Sequence, residues 1–178
     1  MILSSQSLNC WPGRFMFAAI VQGGALVILT AILVIGSVSF MQPDVARVIA
    51  GGGVGTWFTF GYLTYMAVGV IAVAVSALFY HLLGARKIPG ILAWIHLVLM
   101  NVGIAAAAGM MMYAGYVGGA AALPAAVGGQ GLDAAHVHEI IAPYVGPIGG
   151  SILVVLVGVV AGGAGYLKAY RRIIQRPM

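Results

Sequence analysis

Charged residues are scarce in this chain of 178 residues: they make up 6% of the sequence, whereas 62% of the residues are hydrophobic. The mean hydropathy is +1.09. A soluble domain carries about a quarter charged residues, because its surface needs them. Eight basic and three acidic residues cannot cover a water-facing surface of this size. The scarcity excludes an ordinary soluble enzyme, a nucleic-acid-binding protein and a disordered tail, and it indicates an integral membrane protein.

Cysteine is almost absent, since Cys10 is the single one. An intramolecular disulfide, an iron–sulfur cluster and a thiolate zinc site each need more than one cysteine, so all three are excluded. Glycine, in contrast, occurs 27 times. Transmembrane helices tolerate such a content, because small residues let their backbones approach closely in lipid.

Four long apolar stretches contain no Asp, Glu, Lys or Arg, and they cover residues 15–40, 57–83, 91–117 and 146–167. Each exceeds the roughly 20 residues that a helix needs to cross the hydrocarbon core. A bilayer leaves no water for unpaired backbone groups, which favours helices over other forms. The sequence predicts an all-α fold, a single membrane domain over residues 1–178 with four transmembrane helices and an outer loop at 118–145.

The basic residues fall almost entirely on one side of the predicted membrane. With four spans, the N-terminus, the second loop and the C-terminus share a side, and that side carries Arg14, Arg86, Lys87, Lys168, Arg171, Arg172 and Arg176. The other side holds Arg47 together with Asp44, Asp133 and Glu139. By the positive-inside rule, we expect a multi-pass membrane protein with both termini in the cytoplasm.

Two rows of small residues predict close helix packing. The fourth span places Gly146, Gly150, Gly158 and Gly162 at multiples of four residues, and the third span places Gly103 and Gly115 in a similar row. Such rows let two backbones pack against each other. A glycine-rich chain also produces rows of this kind by chance, and the spacing alone leaves that alternative open.

The predicted outer loop, 118–145, is unusually apolar for a segment outside the membrane. Large exposed apolar patches usually mark interaction sites. We therefore expect other membrane subunits to cover this segment, with lipid around the spans, in a complex of several subunits.

Two histidines close to the cytoplasmic side could bind haem. His81 ends the second span and His96 lies near the start of the third, and neutral imidazoles are good axial ligands. The alternative, which the sequence favours, is two interfacial histidines hydrogen-bonded to backbone or headgroups. Spans one and four contribute no histidine that would complete a cytochrome pattern.

A second candidate metal site is the run of His136, His138 and Glu139 in the outer loop. Imidazole and carboxylate groups bind copper or zinc. The two histidines share a face on a strand but not on a helix. Solvated or interface-facing polar residues are the favoured interpretation, because one short segment supplies an incomplete ligand set.

Gln22 and Asn101 are polar residues within spans, where such groups usually find partners across helices. We expect them to join helices rather than to relay protons. No span contains a carboxylate, which argues against a proton pump or an ion-coupled transporter. No catalytic residue is predicted.

The third span carries an aromatic residue, an Ile-His pair and a later glycine, at Trp94, Ile95, His96 and Gly103. This pattern resembles the eleventh helix of haem–copper oxidase subunit I. The preceding ALFYHLLGARK is similar to the end of that family's tenth helix, and the last span resembles its twelfth. The family's tenth helix carries a pair of haem-ligating histidines, at positions that Tyr62 and Thr64 occupy in this chain.

The resemblance therefore implies a piece of subunit I without metal ligands. It implies a small, non-catalytic subunit of a prokaryotic terminal oxidase in the prokaryotic cell membrane, with haem and copper held by a partner subunit. Two alternatives remain open: an accessory subunit of another membrane oxidoreductase, such as a copper monooxygenase of the methane or ammonia type, and a cytochrome b with haem between His81 and His96.

Overall fold

The computed structural model describes residues 11–83 and 88–175, and within those ranges it contains helices and turns but no strand. Four helical spans are long and apolar enough to cross a membrane: Trp11–Ser39, Gly53–Leu82, Gly90–Ala122 and Ala134–Ile174. The all-α architecture with four membrane-spanning segments is thereby confirmed. Outside the described residues lie Cys10, Arg86, Lys87 and Arg176. The last three belong to the basic residues from which the orientation in the membrane was predicted.

The helices are numbered in chain order. They are α1 (Trp11–Ser39), α2 (Val45–Ala50), α3 (Thr56–Thr64), α4 (Val73–Leu82), α5 (Gly90–Ala122) and α6 (Ala134–Ile174). A π-helical segment, Tyr65–Ala72, joins α3 to α4 without a break, so that these three elements form most of the second span. One end of the bundle, where α1 and α5 begin and α4 and α6 end, is called the basic end; the opposite end is called the far end.

Helices α5 and α6 form an antiparallel hairpin with the most extensive contact in the fold. The contact is close because glycine replaces larger side chains on both helices. A Cβ atom at Gly103 would lie 3.0 Å from the Val155 backbone nitrogen and 3.1 Å from the Ser151 oxygen. A Cβ atom at Gly158 would lie 2.9 Å from the Met100 backbone nitrogen. Backbone-to-backbone packing therefore requires glycine at these positions.

The predicted glycine rows only partly match this hairpin. Gly162 faces the His96 ring on α5, in line with the prediction, but Gly146 and Gly150 have open space where a Cβ would be. Gly115 packs against the second span instead of α6, since a Cβ there would lie 2.9 Å from the Trp57 carbonyl carbon. At the far end Gly118 of α5 packs against the Ile141 side chain of α6, whereas Gly146 and Gly150 lie on a face of α6 that points away from α5.

The predicted outer loop is mostly helical, which corrects the boundaries 118–145. Helix α5 continues to Ala122 and α6 already begins at Ala134, so the turn covers 123–133 alone. Asp133 caps α6 by accepting hydrogen bonds of 3.0 Å from the backbone N–H groups of Ala135 and His136. These bonds, above all the one from His136, lower the pKa of the Asp133 carboxyl group. Hydropathy alone misses such helix ends, because capping rather than apolarity defines them.

The far end has a small core of its own. Helix α2 presents Val45 and Val48 inward, and α6 presents Val137 and Ile141, all of which are buried. The Tyr116 hydroxyl also donates a 3.0 Å hydrogen bond to the Pro43 carbonyl oxygen, which ties α5 to the segment before α2. Part of the apolar surface that the sequence assigned to a partner is thus buried within the chain itself.

Candidate functional site

His96 lies in a cluster of aromatic rings at the basic end. The side chain is 3% exposed, and Phe15 and Tyr80 are fully buried beside it. The Phe15 ring stacks on Tyr80 with centroids 4.6 Å apart and lies 4.9 Å from the His96 ring, while Tyr166 packs edge-on against both Tyr80 and His96. The Tyr80 hydroxyl lies 3.4 Å from His96 Nδ1. These contacts join all four spans around one histidine.

The structure does not bring His81 and His96 into one site. His81 is exposed at the end of α4, whereas the ring of His96 is enclosed by aromatic side chains and by the backbone of α6 at Gly162. Two axial haem ligands must face the same iron. A haem at His96 would have to displace Phe15, Tyr80 or Tyr166, so this geometry favours a packed core histidine.

The outer run of His136, His138 and Glu139 is helical, in the first turns of α6. Two residues apart on a helix, the histidines point in directions about 160° apart, on nearly opposite faces. His136 Nδ1 lies 2.9 Å from Asp133 Oδ1, within hydrogen-bond distance, and the side chains of His138 and Glu139 are exposed. Among the residues that the structure describes, no group of three His, Cys, Asp or Glu side chains is placed to hold a metal ion.

Gln22 and Asn101 do meet inside the membrane-spanning region. Gln22 Nε2 donates a 3.1 Å hydrogen bond to Asn101 Oδ1 on α5, and the Tyr65 hydroxyl donates to Gln22 Oε1. Asn101 Nδ2 in turn donates to the Leu97 carbonyl oxygen at 2.7 Å. Tyr65 stands at the start of the π-helical segment. The network therefore joins α1, the second span and α5, the joining role that the sequence predicted.

Replacing Gln22 with leucine is expected to lower the free energy of unfolding by about 1–2 kcal/mol, since hydrogen bonds between membrane helices contribute about 0.6 kcal/mol on average and up to about 1.7. The variant removes the bonds to both Asn101 and Tyr65. Thr30→Val is the control, because it removes one interhelical bond, the 2.7 Å contact with the Tyr62 hydroxyl. Unfolding in a denaturing-detergent titration measures both losses; equal losses would contradict the two-bond role of Gln22.

An apolar groove of about 770 Å³ lies between α1 and α5 and extends from this network toward the basic end. Arg14 and Trp94 line it toward the basic end, and Gln22 and Asn101 line it deeper in the bundle. The Arg14 guanidinium lies 4.8 Å from the ring centre of Trp11 and 4.9 Å from that of Trp94. We refer to this feature as the α1–α5 groove.

No protein-family model, curated protein or solved structure matches the chain. The likeness to haem–copper oxidase subunit I therefore stays an expectation from sequence.

Sequence reasoning missed the aromatic cluster and the groove. Phe15, Tyr80, His96 and Tyr166 are each apolar or interfacial residues near the same end of their spans, and that shared depth was the available signal. The groove had no such signal. It depends on α1 packing mainly against α4 and the π-helical segment, which leaves its side toward α5 open.

Proposed function

We propose that this chain is a non-catalytic membrane-spanning subunit of a larger complex. The observation that carries the proposal is exposed apolar surface at the far end of the α5–α6 hairpin. Pro124, Ala125, Ala126 and Val127 are exposed at its turn, and Val145 and Gly146 are exposed about three helical turns into α6.

The length of α6 supports the same conclusion. Its 41 residues extend over about 60 Å at 1.5 Å per residue, whereas a bilayer with its headgroups is about 40–45 Å thick. The helix therefore extends beyond the membrane. Its charged residues Lys168, Arg171 and Arg172 suit water at the basic end, and the exposed His136, His138 and Glu139 suit water at the far end. The exposed residues of the turn at 124–127 are apolar. Apolar surface in that position favours contact with another protein.

A surface for a partner helix lies further along α6, about 18–24 Å from its first residue at 1.5 Å per residue. Apart from the backbone of α6 itself and the adjoining residues, no atom of the described residues lies within 4 Å of a Cβ position at Gly146, Gly149 or Gly150. Small residues in a membrane allow a second helix to approach the backbone closely. In its specific form the proposal is a subunit that braces the haem- and copper-bearing partner of a prokaryotic terminal oxidase, as the resemblance of Trp94, Ile95, His96 and Gly103 implies.

The test is purification of the tagged chain from its own membranes in mild detergent, followed by native mass spectrometry and an absorption spectrum. We expect a complex with a larger subunit that carries haem and copper. Gly150→Leu should lower the recovery of the partner at least fivefold while the chain stays folded. Gly163→Leu, also at an open position on α6 but toward the basic end, should leave the recovery of the partner unchanged.

Several outcomes would contradict the proposal. Recovery of a stable monomer with one haem would favour a cytochrome b, and recovery with a copper monooxygenase would redirect the partner assignment to that class. In the latter case the exposed His136, His138 and Glu139 would become the surface to test. Equal recovery with Gly150→Leu and Gly163→Leu would remove the far-end face as the point of contact.

A further inference from the structure

The α1–α5 groove holds a positive charge that the described chain leaves without a negative partner. Arg14 lies at its mouth between Trp11 and Trp94. The two rings fix the guanidinium by cation–π contact, which orients the cation and leaves its full charge in place. Its planar fork of donors remains suited to a phosphate or carboxylate.

The chain's three acidic side chains all lie in the described residues, and none of them is near Arg14. Asp44 forms an ion pair with Arg47 at 3.1 Å, and Asp133 lies beside His136 at 2.9 Å. Glu139 is in the second turn of α6. All three belong to the far end, across the membrane from Arg14. A negative group for Arg14 must therefore come from outside these residues.

The shape of the groove matches one leaflet of a bilayer. Gln22 follows Arg14 by eight positions on α1, which corresponds to about 12 Å along the helix at 1.5 Å per residue. One leaflet contributes about 15 Å of the roughly 30 Å hydrocarbon core. Between these depths the walls are apolar, with Phe17, Val21 and Val98 among them. The groove thus offers a cation at headgroup level and an apolar channel below it.

We propose that the α1–α5 groove is a binding site for an anionic phospholipid, with the phosphate at Arg14 and one acyl chain along the groove down to Gln22 and Asn101. Tryptophan rings sit at headgroup level in membrane proteins, which places Trp11 and Trp94 beside the phosphate. Basic pockets between membrane helices are known to take anionic headgroups. The proposal does not depend on the identity of any partner subunit.

The experiment is native mass spectrometry of the purified chain, delipidated and then incubated with phosphatidylglycerol or phosphatidylcholine of identical acyl chains. We expect the wild-type chain to retain phosphatidylglycerol at least tenfold better. Arg14→Gln should abolish most of this preference, and Arg14→Lys should keep part of it, because lysine supplies the charge without the bidentate fork. Lys168→Gln, which removes an exposed charge outside the groove, should leave the preference unchanged.

A second variant tests the acyl-chain channel without touching the charge. Val98→Phe adds bulk at a groove wall that is 44% exposed, so folding should be preserved while bound phosphatidylglycerol falls severalfold. Equal loss from Lys168→Gln and Arg14→Gln would overturn the proposal in favour of a general attraction to basic surface. Equal retention of both lipids, unchanged binding in Val98→Phe, or a cross-link from the groove to a carboxylate of another protein would also overturn it.

Discussion

Replacing Gly103 with alanine should lower the free energy of unfolding by about 1–3 kcal/mol, the usual cost of forcing extra volume into a packed interior. The added Cβ would meet Val155 Cγ2 at 2.8 Å and the backbone of α6 at 3.0 and 3.1 Å. The Val155 side chain can rotate, but the backbone atoms move only if α5 and α6 separate. That separation weakens the most extensive helix contact in the fold.

Gly109→Ala is the matched control on the same helix. Apart from the backbone of α5 itself and the adjoining residues, no atom of the part of the chain that the structure describes lies within 4 Å of a Cβ at Gly109. Alanine is also the better helix former by about 1 kcal/mol. We expect this variant to be as stable as the wild type or more stable. Unfolding of both variants in a denaturing-detergent titration, followed by circular dichroism, measures the difference. Similar effects of the two substitutions would show that the close α5–α6 approach is not needed for stability.

The positions of the spans followed from the sequence because the signal is additive over many residues. Each apolar stretch is longer than 20 residues without a charge, and no single residue decides the outcome. The ends of the helices were harder to predict from the sequence. Helix α6 begins at Ala134 because Asp133 caps it, and it continues through Pro143 and Pro147. A proline normally argues against a helix in water, but membrane helices tolerate it when neighbouring groups satisfy the freed carbonyl.

The local pairings could be predicted only in part. Gln22 and Asn101 were expected to find partners across helices, because an unpaired amide in hydrocarbon is costly. That they meet each other, with Tyr65 as a third member, depends on the relative rotation of α1, α5 and the π-helical segment. For Gly115, too, the sequence does not show which helix it contacts. Its spacing marks a close contact, yet only the three-dimensional arrangement shows that the contact is with the second span.

The burial of the His96 side chain also could not be read from the sequence. His81 and His96 occupy similar levels near the ends of adjoining spans, so they were considered together. Rotation about the helix axes separates them: His81 lies at the surface of α4, and His96 lies between the rings of Phe15 and Tyr166. A sequence pattern reports depth in the membrane far better than it reports which helix face is buried.

Phe15→Ala is expected to cause a loss of about 2 kcal/mol in unfolding free energy, from a cavity of about 100 Å³ at about 24 cal/mol per Å³. Phe15 is fully buried, and its ring contacts both Tyr80 and His96. Lipid offers little drive for burial, so the expected loss comes from missing van der Waals contacts rather than from transfer out of water. Because Phe15 joins α1 to α4 and α5, we expect α1 to separate first.

Phe60→Ala provides the comparison, since the Phe60 side chain is 59% exposed on the second span. Removing that ring opens no enclosed cavity, and the unfolding free energy should change by less than about 0.5 kcal/mol. Phe15→Leu should recover part of the loss, because leucine fills much of the same volume. Cysteine cross-linking between α1 and α4 during the denaturing titration would reveal which helix leaves first. If Phe15→Ala and Phe60→Ala unfold together with the wild type, the aromatic cluster around His96 is not what holds α1 to the bundle.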